Sequence, residues 1–191
     1  MLSGRRLDLL DPSPLDVEIV DIAHGLARVA RWNGQTSGDH AFSVAQHSLL
    51  VEEIFSALAQ EATPEQRLAA LLHDAPEYVI GDMISPFKAV VGGGYREVEW
   101  RLQRAIHLRF ALVTDPPRPI TATIKRADQI AAYLEATQLA GFTTEEAVAF
   151  FGRPRGIRCD LFELVPQPSA LVQQHFLSRF EKLDRSRAIH G

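Results

Sequence analysis

The chain has 191 residues, of which 46% are hydrophobic and 23% charged. That is enough apolar material for one well-buried core, short for two full domains, and too apolar for disorder as the main state. A formal net charge of −4 excludes general attraction to nucleic-acid backbone or acidic membrane surface, and a single cysteine, Cys159, excludes an intrachain disulfide.

No apolar run approaches the ~20 residues that span a bilayer. Arg5 and Arg6 are followed by acids and prolines rather than by the apolar stretch of a secretory signal. The expected location is the cytoplasm, and the expected partners include neither nucleic acid nor membrane.

In chain order the signals are helical. Residues 17–30 carry Ile19, Ile22, Ala23, Leu26, Val29 and Ala30 on one stripe. Residues 31–42 are polar and rich in glycine, a loop or small hairpin. Ser43-Val44-Ala45-Gln46 reads as a capping box opening a helix over about 43–60, and Thr63-Pro64-Glu65-Gln66 opens the next. That helix runs through Leu68, Ala69, Leu71 and Leu72 into His73-Asp74.

Pro76 must kink or restart it, Gly81 ends it, and Ser85-Pro86 makes a further break. Gly92 to Gly94 reads as a flexible loop without the lysine and hydroxyl of a phosphate-binding loop. Helices are expected over about 95–110 and 119–139, then an irregular region over 141–168, then a closing amphipathic helix over 169–183. Strand signals are few. The expected fold is all-α and a single domain, with a core over about 17–140 and a 141–191 extension whose final helix packs on that core.

Within this framework a few residues resist explanation by packing alone. His73-Asp74 closes an otherwise apolar helix, where unpartnered burial would cost several kcal/mol; the same pair also reads as a helix-terminal cap. His47 lies in the apolar helix begun by Ser43, and Asp128 lies among Ile124, Ala127, Ile130 and Ala131. Lys125 and Arg126 offer Asp128 a plain salt bridge. Two histidines and two aspartates otherwise make a nitrogen and oxygen set suited to Mn, Fe, Co or Zn.

The blocks Ser43-Val44-Ala45-Gln46-His47-Ser48, Leu71-Leu72-His73-Asp74-Ala75-Pro76-Glu77, Ile80-Gly81-Asp82, Ser85-Pro86 and Lys125-Arg126-Ala127-Asp128 resemble, in order and spacing, the HD-domain metal-dependent phosphohydrolases. Within them the chain is most similar to the YfbR-like 5′-deoxynucleotidase branch. The resemblance covers roughly residues 17–140. It implies an HD-domain helical bundle and one divalent transition metal held by His47, His73, Asp74 and Asp128. It also implies that Glu77 stands beside the attacking water, that Asp82 faces the sugar, and that Arg31-Trp32 holds the phosphate and walls the ribose.

The expected activity is hydrolysis of a (deoxy)nucleoside 5′-monophosphate, with Glu77, Asp74 and Asp82 as catalytic groups and Arg31, Trp32 and Asp82 as substrate-binding groups. The alternatives are another nucleotide phosphoester, either a guanosine polyphosphate or a cyclic nucleotide, and a nucleotide sensor without turnover. The resemblance also suggests a homodimer. The branch commonly has glutamate where this chain has Gln46, and nothing in the resemblance covers the Arg153-Pro154-Arg155 stretch.

Other polar residues read more plainly. His40 reads as an exposed loop histidine and Lys88 as a surface lysine. His24, His107, His175 and His190 read as structural or solvated, and Cys159 as an inert thiol.

Overall fold

The structure is a computed structural model and describes residues 1–83 and 93–190. The Ser85-Pro86 break, Lys88 and Gly92 lie outside the described residues. Among the described residues the architecture is all-α, with eight helices, three short 3₁₀ turns and no strand. Helix α1 spans Ile19–Leu26, α2 Val44–Leu58, α3 Pro64–Leu71, α4 Glu77–Ile80, α5 Gly93–Arg109, α6 Arg118–Gln138, α7 Thr144–Phe151 and α8 Ser169–His190.

Most boundaries follow local chemistry. Thr63 accepts from the Gln66 amide, and the Gln66 side chain accepts from the Thr63 amide, so α3 opens on a complete capping box with Pro64 at its first position. Ser43 accepts from the Gln46 amide at 3.3 Å. The reciprocal half expected there does not form. Gln46 instead donates to the Val165 carbonyl at 3.0 Å and accepts from the Gln167 amide at 3.1 Å. It ties the C-terminal segment to the start of α2. Pro76 caps α4, which therefore restarts after His73-Asp74 rather than continuing α3, and Gly81 ends α4 at φ 76°.

The segment after Ala30 is a loop rather than a hairpin. One antiparallel bridge, Ala30 to Ser43, closes its base. Its tip begins with a 3₁₀ turn in which Trp32, Asn33 and Gly34 all have positive φ. α7 was not expected within the irregular region. Thr143 and Glu146 form its full capping box, a signal legible in the residues themselves.

Two buried clusters fill the bundle. One joins Leu26, Val44, Leu68, Leu71, Leu72, Leu102, Ile106 and Phe176, drawn from α1, α2, α3, α5 and α8. The other joins Val51, Ile54, Phe55, Ala127, Ile130 and Leu134 between α2 and α6. The final helix buries Val172, Phe176, Phe180 and Leu183. Glu52, fully buried on α2, is held by Arg67 at 2.7 Å and by Arg179, which links α2, α3 and α8 through charge.

Gly25 sets the approach of α1 to α4. A Cβ there would lie 2.8 Å from both the Cβ and the carbonyl oxygen of Tyr78. Only glycine lets α1 come this near, and α4 in turn carries Glu77.

Candidate metal centre

Three elements converge at one point. α2 brings His47, the turn after α3 brings His73 and Asp74, and α6 brings Asp128. His47, His73 and Asp128 each offer one ligand atom, all within 4.8 Å of one another. Asp74 Oδ2 lies 3.2 Å from His73 Nε2 and 3.4 Å from His47 Nε2, while Asp128 Oδ1 lies 3.2 Å from His47 Nε2. All four residues singled out in the sequence therefore meet. Arg126 is not the partner of Asp128, because its guanidinium donates to the Arg155 carbonyl at 2.6 Å.

The two imidazoles are oriented from behind. His73 Nδ1–H donates to the Ala70 carbonyl at 2.9 Å, and His47 Nδ1–H donates to Glu135 Oε1 at 2.5 Å. Each bond places the proton on Nδ1 and leaves Nε2 to face the carboxylates. Both Nε2 atoms are buried and form no hydrogen bond. A buried nitrogen left so, aimed at carboxylates and backed by a carboxylate or a carbonyl, has the arrangement that orients metal-ligating histidine. The donor set could hold a metal ion.

Electrostatics point the same way. Burial disfavours a charged His47 and Arg31 opposes it, yet Glu135, Asp128 and Asp74 outweigh both and hold its pKa well above the ordinary value. Burial pushes Asp74 upward, but the two histidines prevail and hold it well below the ordinary carboxylate range. Asp128 is lowered against burial by His47 and His73. Three carboxylates thus crowd one imidazole, a surplus of negative charge that a cation would balance.

Glu135 is the residue that sequence reasoning missed. It is fully buried on α6, seven residues past Asp128 and so on the same helical face. Besides His47 it accepts from Trp32 Nε1–H at 2.8 Å and from Arg31 Nε at 3.3 Å. Its signal was a lone acid in the apolar run Ile130-Ala131-Ala132-Tyr133-Leu134-Glu135-Ala136. His47 and Arg31 hold its pKa low in spite of burial.

Arg31 and Trp32 do reach the site. Arg31 pairs with Asp82 at 3.2 Å as well as with Glu135, and these carboxylates, with Asp74 and Asp128, raise its pKa despite burial. Trp32 holds φ 56°, a left-handed conformation costly for a bulky residue. The bond to Glu135 and edge-on contacts with Phe142 and Phe151 keep it there.

A cleft of about 680 Å³ opens above the cluster. Its lining includes the polar Arg31, Asp74, Glu77, Asp82, Lys125, Asp128 and Gln129 together with the aromatic Trp32, Phe142, Phe150 and Phe151. Glu77 is 3% exposed at the start of α4. The other side chains lie as read: His40 and His175 are exposed. His107 is buried, bonded to Gln103 and to the Val113 carbonyl. Burial raises the pKa of the Cys159 thiol, in keeping with an inert group. Among the described residues no helix is long and apolar enough to cross a membrane.

No family model matches the chain. It is similar to a Rhodobacter capsulatus protein, "Uncharacterized protein RCAP_rcc00048", with 56% identity over 186 residues, covering 97% of this chain and 95% of that one.

Proposed function

We propose that this chain, which belongs to the family of that Rhodobacter capsulatus protein, is a metal-dependent phosphohydrolase of the HD type. We further propose that it hydrolyses a (deoxy)nucleoside 5′-monophosphate to nucleoside and phosphate. The observation that carries the reading is the pair of buried, hydrogen-bond-free Nε2 atoms of His47 and His73 facing Asp74 and Asp128 beneath an open cleft. His47, His73, Asp74 and Asp128 would hold one divalent ion. Such an ion supplies Lewis acidity to a phosphoryl oxygen and to a water molecule.

The protein's own groups supply the rest. Glu77, nearly buried at the cleft wall, orients a water and takes its proton as that water attacks phosphorus. The ester phosphorus–oxygen bond breaks, the leaving alkoxide takes a proton from solvent water, and Glu77 returns the proton it accepted to solvent. Arg31, positioned by Glu135 and Asp82, balances the charge that gathers on the phosphoryl oxygens. Asp82 faces the sugar and accepts from a hydroxyl there, and Trp32 gives the sugar a rigid wall.

The test is phosphate release from a panel of nucleoside monophosphates by chelated protein, before and after Mn, Co or Zn is restored. Release only with metal, lost in Glu77→Gln while metal still binds, supports the reading. Full turnover by Glu77→Gln would refute the role given to that residue.

A second reading keeps the chemistry and changes the substrate to a guanosine polyphosphate or cyclic nucleotide. It draws on Arg126, Arg153 and Arg155, which line a small pocket of about 140 Å³ that shares Gln129 and Phe151 with the cleft. Activity confined to substrates with a second phosphate would favour it. Metal and nucleotide binding with no release from any ester would instead identify a sensor.

A further inference from the structure

Several arginines in this fold answer a carboxylate: Arg67 and Arg179 hold Glu52, Arg31 holds Asp82 and Glu135, and Arg158 holds Asp160. Arg126, Arg153 and Arg155 do not. Among the described residues none of the three has an ion pair, yet all three line one pocket of about 140 Å³. Gln129, Ile130, Phe151, Gly152 and Pro154 complete its lining, so no acid shares the wall. In a chain of net charge −4, three cations gathered without an acid are a local feature that composition does not explain.

The pocket is built by a loop that leaves α7 at Gly152 and returns to α6. Pro154 stiffens the backbone between Arg153 and Arg155. Arg126, on α6, donates from Nη2 to the Arg155 carbonyl at 2.6 Å, which holds the loop to the helix and the guanidinium to the loop. Gly156 permits this approach. It has φ 70°, and a Cβ there would lie 3.1 Å from the same Arg126 nitrogen. A guanidinium carries five N–H donors, so one bond to a carbonyl leaves most of the Arg126 fork for another partner.

We infer that Arg126, Arg153 and Arg155 form a second binding site, for a phosphate-class oxyanion, apart from the cluster of His47, His73, Asp74 and Asp128. It goes beyond the phosphohydrolase reading, since it requires neither metal nor turnover. Planar guanidinium forks match the oxygens of a phosphoryl group. The volume limits the ligand: sites for whole small molecules run to ~300–1,000 Å³, so this pocket takes one oxyanion group and not a nucleoside. All three arginines are exposed, so binding is electrostatic and weakened by salt.

The metal-free cleft is a poor rival for that anion. Asp74, Asp128 and Glu77 repel it, and Arg31 is already paired with Asp82 and Glu135. The oxyanion has two sources, free phosphate or a phosphoryl group on a molecule whose body lies in the cleft, because Gln129 and Phe151 line both cavities.

The probe is inorganic phosphate, titrated by calorimetry into the chelated full chain at low salt. Arg153 and Arg155 are exposed, so the double variant Arg153→Gln/Arg155→Gln keeps the core, with its melting temperature as the check. Wild type is expected to bind about one phosphate per chain, and the double variant to bind it about tenfold more weakly. The difference should fade as salt is raised. No binding by wild type, or equal binding by the double variant, would overturn the site and leave these arginines as partners of the C-terminal end of α7.

Binding of 2′-deoxyadenosine 5′-monophosphate and of its 3′,5′-bisphosphate separates the sources. Tighter binding of the bisphosphate, lost in the double variant, would assign the oxyanion to a molecule in the cleft. Equal binding of the two, with phosphate still taken up beside the monophosphate, would assign it to free phosphate. None of these readouts involves turnover, so failure of the hydrolase reading leaves their outcome unchanged.

Discussion

Replacing Glu135 by glutamine probes the buried anchor of the site. The carboxylate receives three donors: His47 Nδ1–H at 2.5 Å, Trp32 Nε1–H at 2.8 Å and Arg31 Nε at 3.3 Å. Glutamine has nearly the same shape, but its single carbonyl oxygen faces three donors and its amide adds two more. At least one charge-assisted bond is lost outright and an NH₂ is set against an N–H.

With about 1.5–3 kcal/mol for each hydrogen bond to a charged group, the variant should lose about 3 kcal/mol of folding stability. His47 also loses the group that fixes its proton on Nδ1, and loss of such an outer partner lowers metal affinity about 10- to 100-fold. Urea denaturation of the chelated protein and competition with a chelator for Zn or Mn measure the two effects. Wild-type stability together with wild-type metal affinity in Glu135→Gln would refute the anchoring role.

Proton and metal compete for His47. Its folded pKa lies well above the unfolded 6.5, so its ionic contacts stabilise the metal-free fold fully below 6.5 and are lost as pH rises through the raised value. Thermal denaturation of chelated protein should show stability falling across that window, and metal affinity rising over the same interval as the proton leaves. Affinity independent of pH there would contradict the cluster as the metal site. Gly25→Ala sets a Cβ 2.8 Å from Tyr78; overpacking outweighs the gain in helix propensity, for a net loss of about 1–2 kcal/mol by urea denaturation. A neutral or stabilised variant would show that α4 can shift at no cost.

The cluster of His47, His73, Asp74 and Asp128 was legible because its residues break local rules. His73-Asp74 ends an apolar helix and Asp128 interrupts an apolar face, and neither arrangement makes sense without a partner. Glu135 obeyed the same logic but lay among residues that read as ordinary core, and its three partners come from α2 and from the loop after Ala30, far away in sequence. The Gln46 half of the expected capping box failed because residues 165–167 offered that amide better-placed partners, a tertiary contact with no local signal. α7 was open to reading, since Thr143-Thr144-Glu145-Glu146 is a complete cap, yet the glycines and prolines that follow it obscured the helix. Trp32 in a left-handed conformation could not be read from sequence at all, because Glu135 and the phenylalanines impose it from outside the loop.

Titration of metal into the chelated protein asks whether one divalent ion at His47, His73, Asp74 and Asp128 serves phosphoester hydrolysis. Chelated protein would receive Mn in small steps while phosphate release from a nucleoside 5′-monophosphate is followed. Activity should climb from zero and level off at about one equivalent per chain, and Asp74→Ala should stay inactive throughout. Release that is already complete before any metal is added, or none at full occupancy with any nucleoside monophosphate, would contradict it.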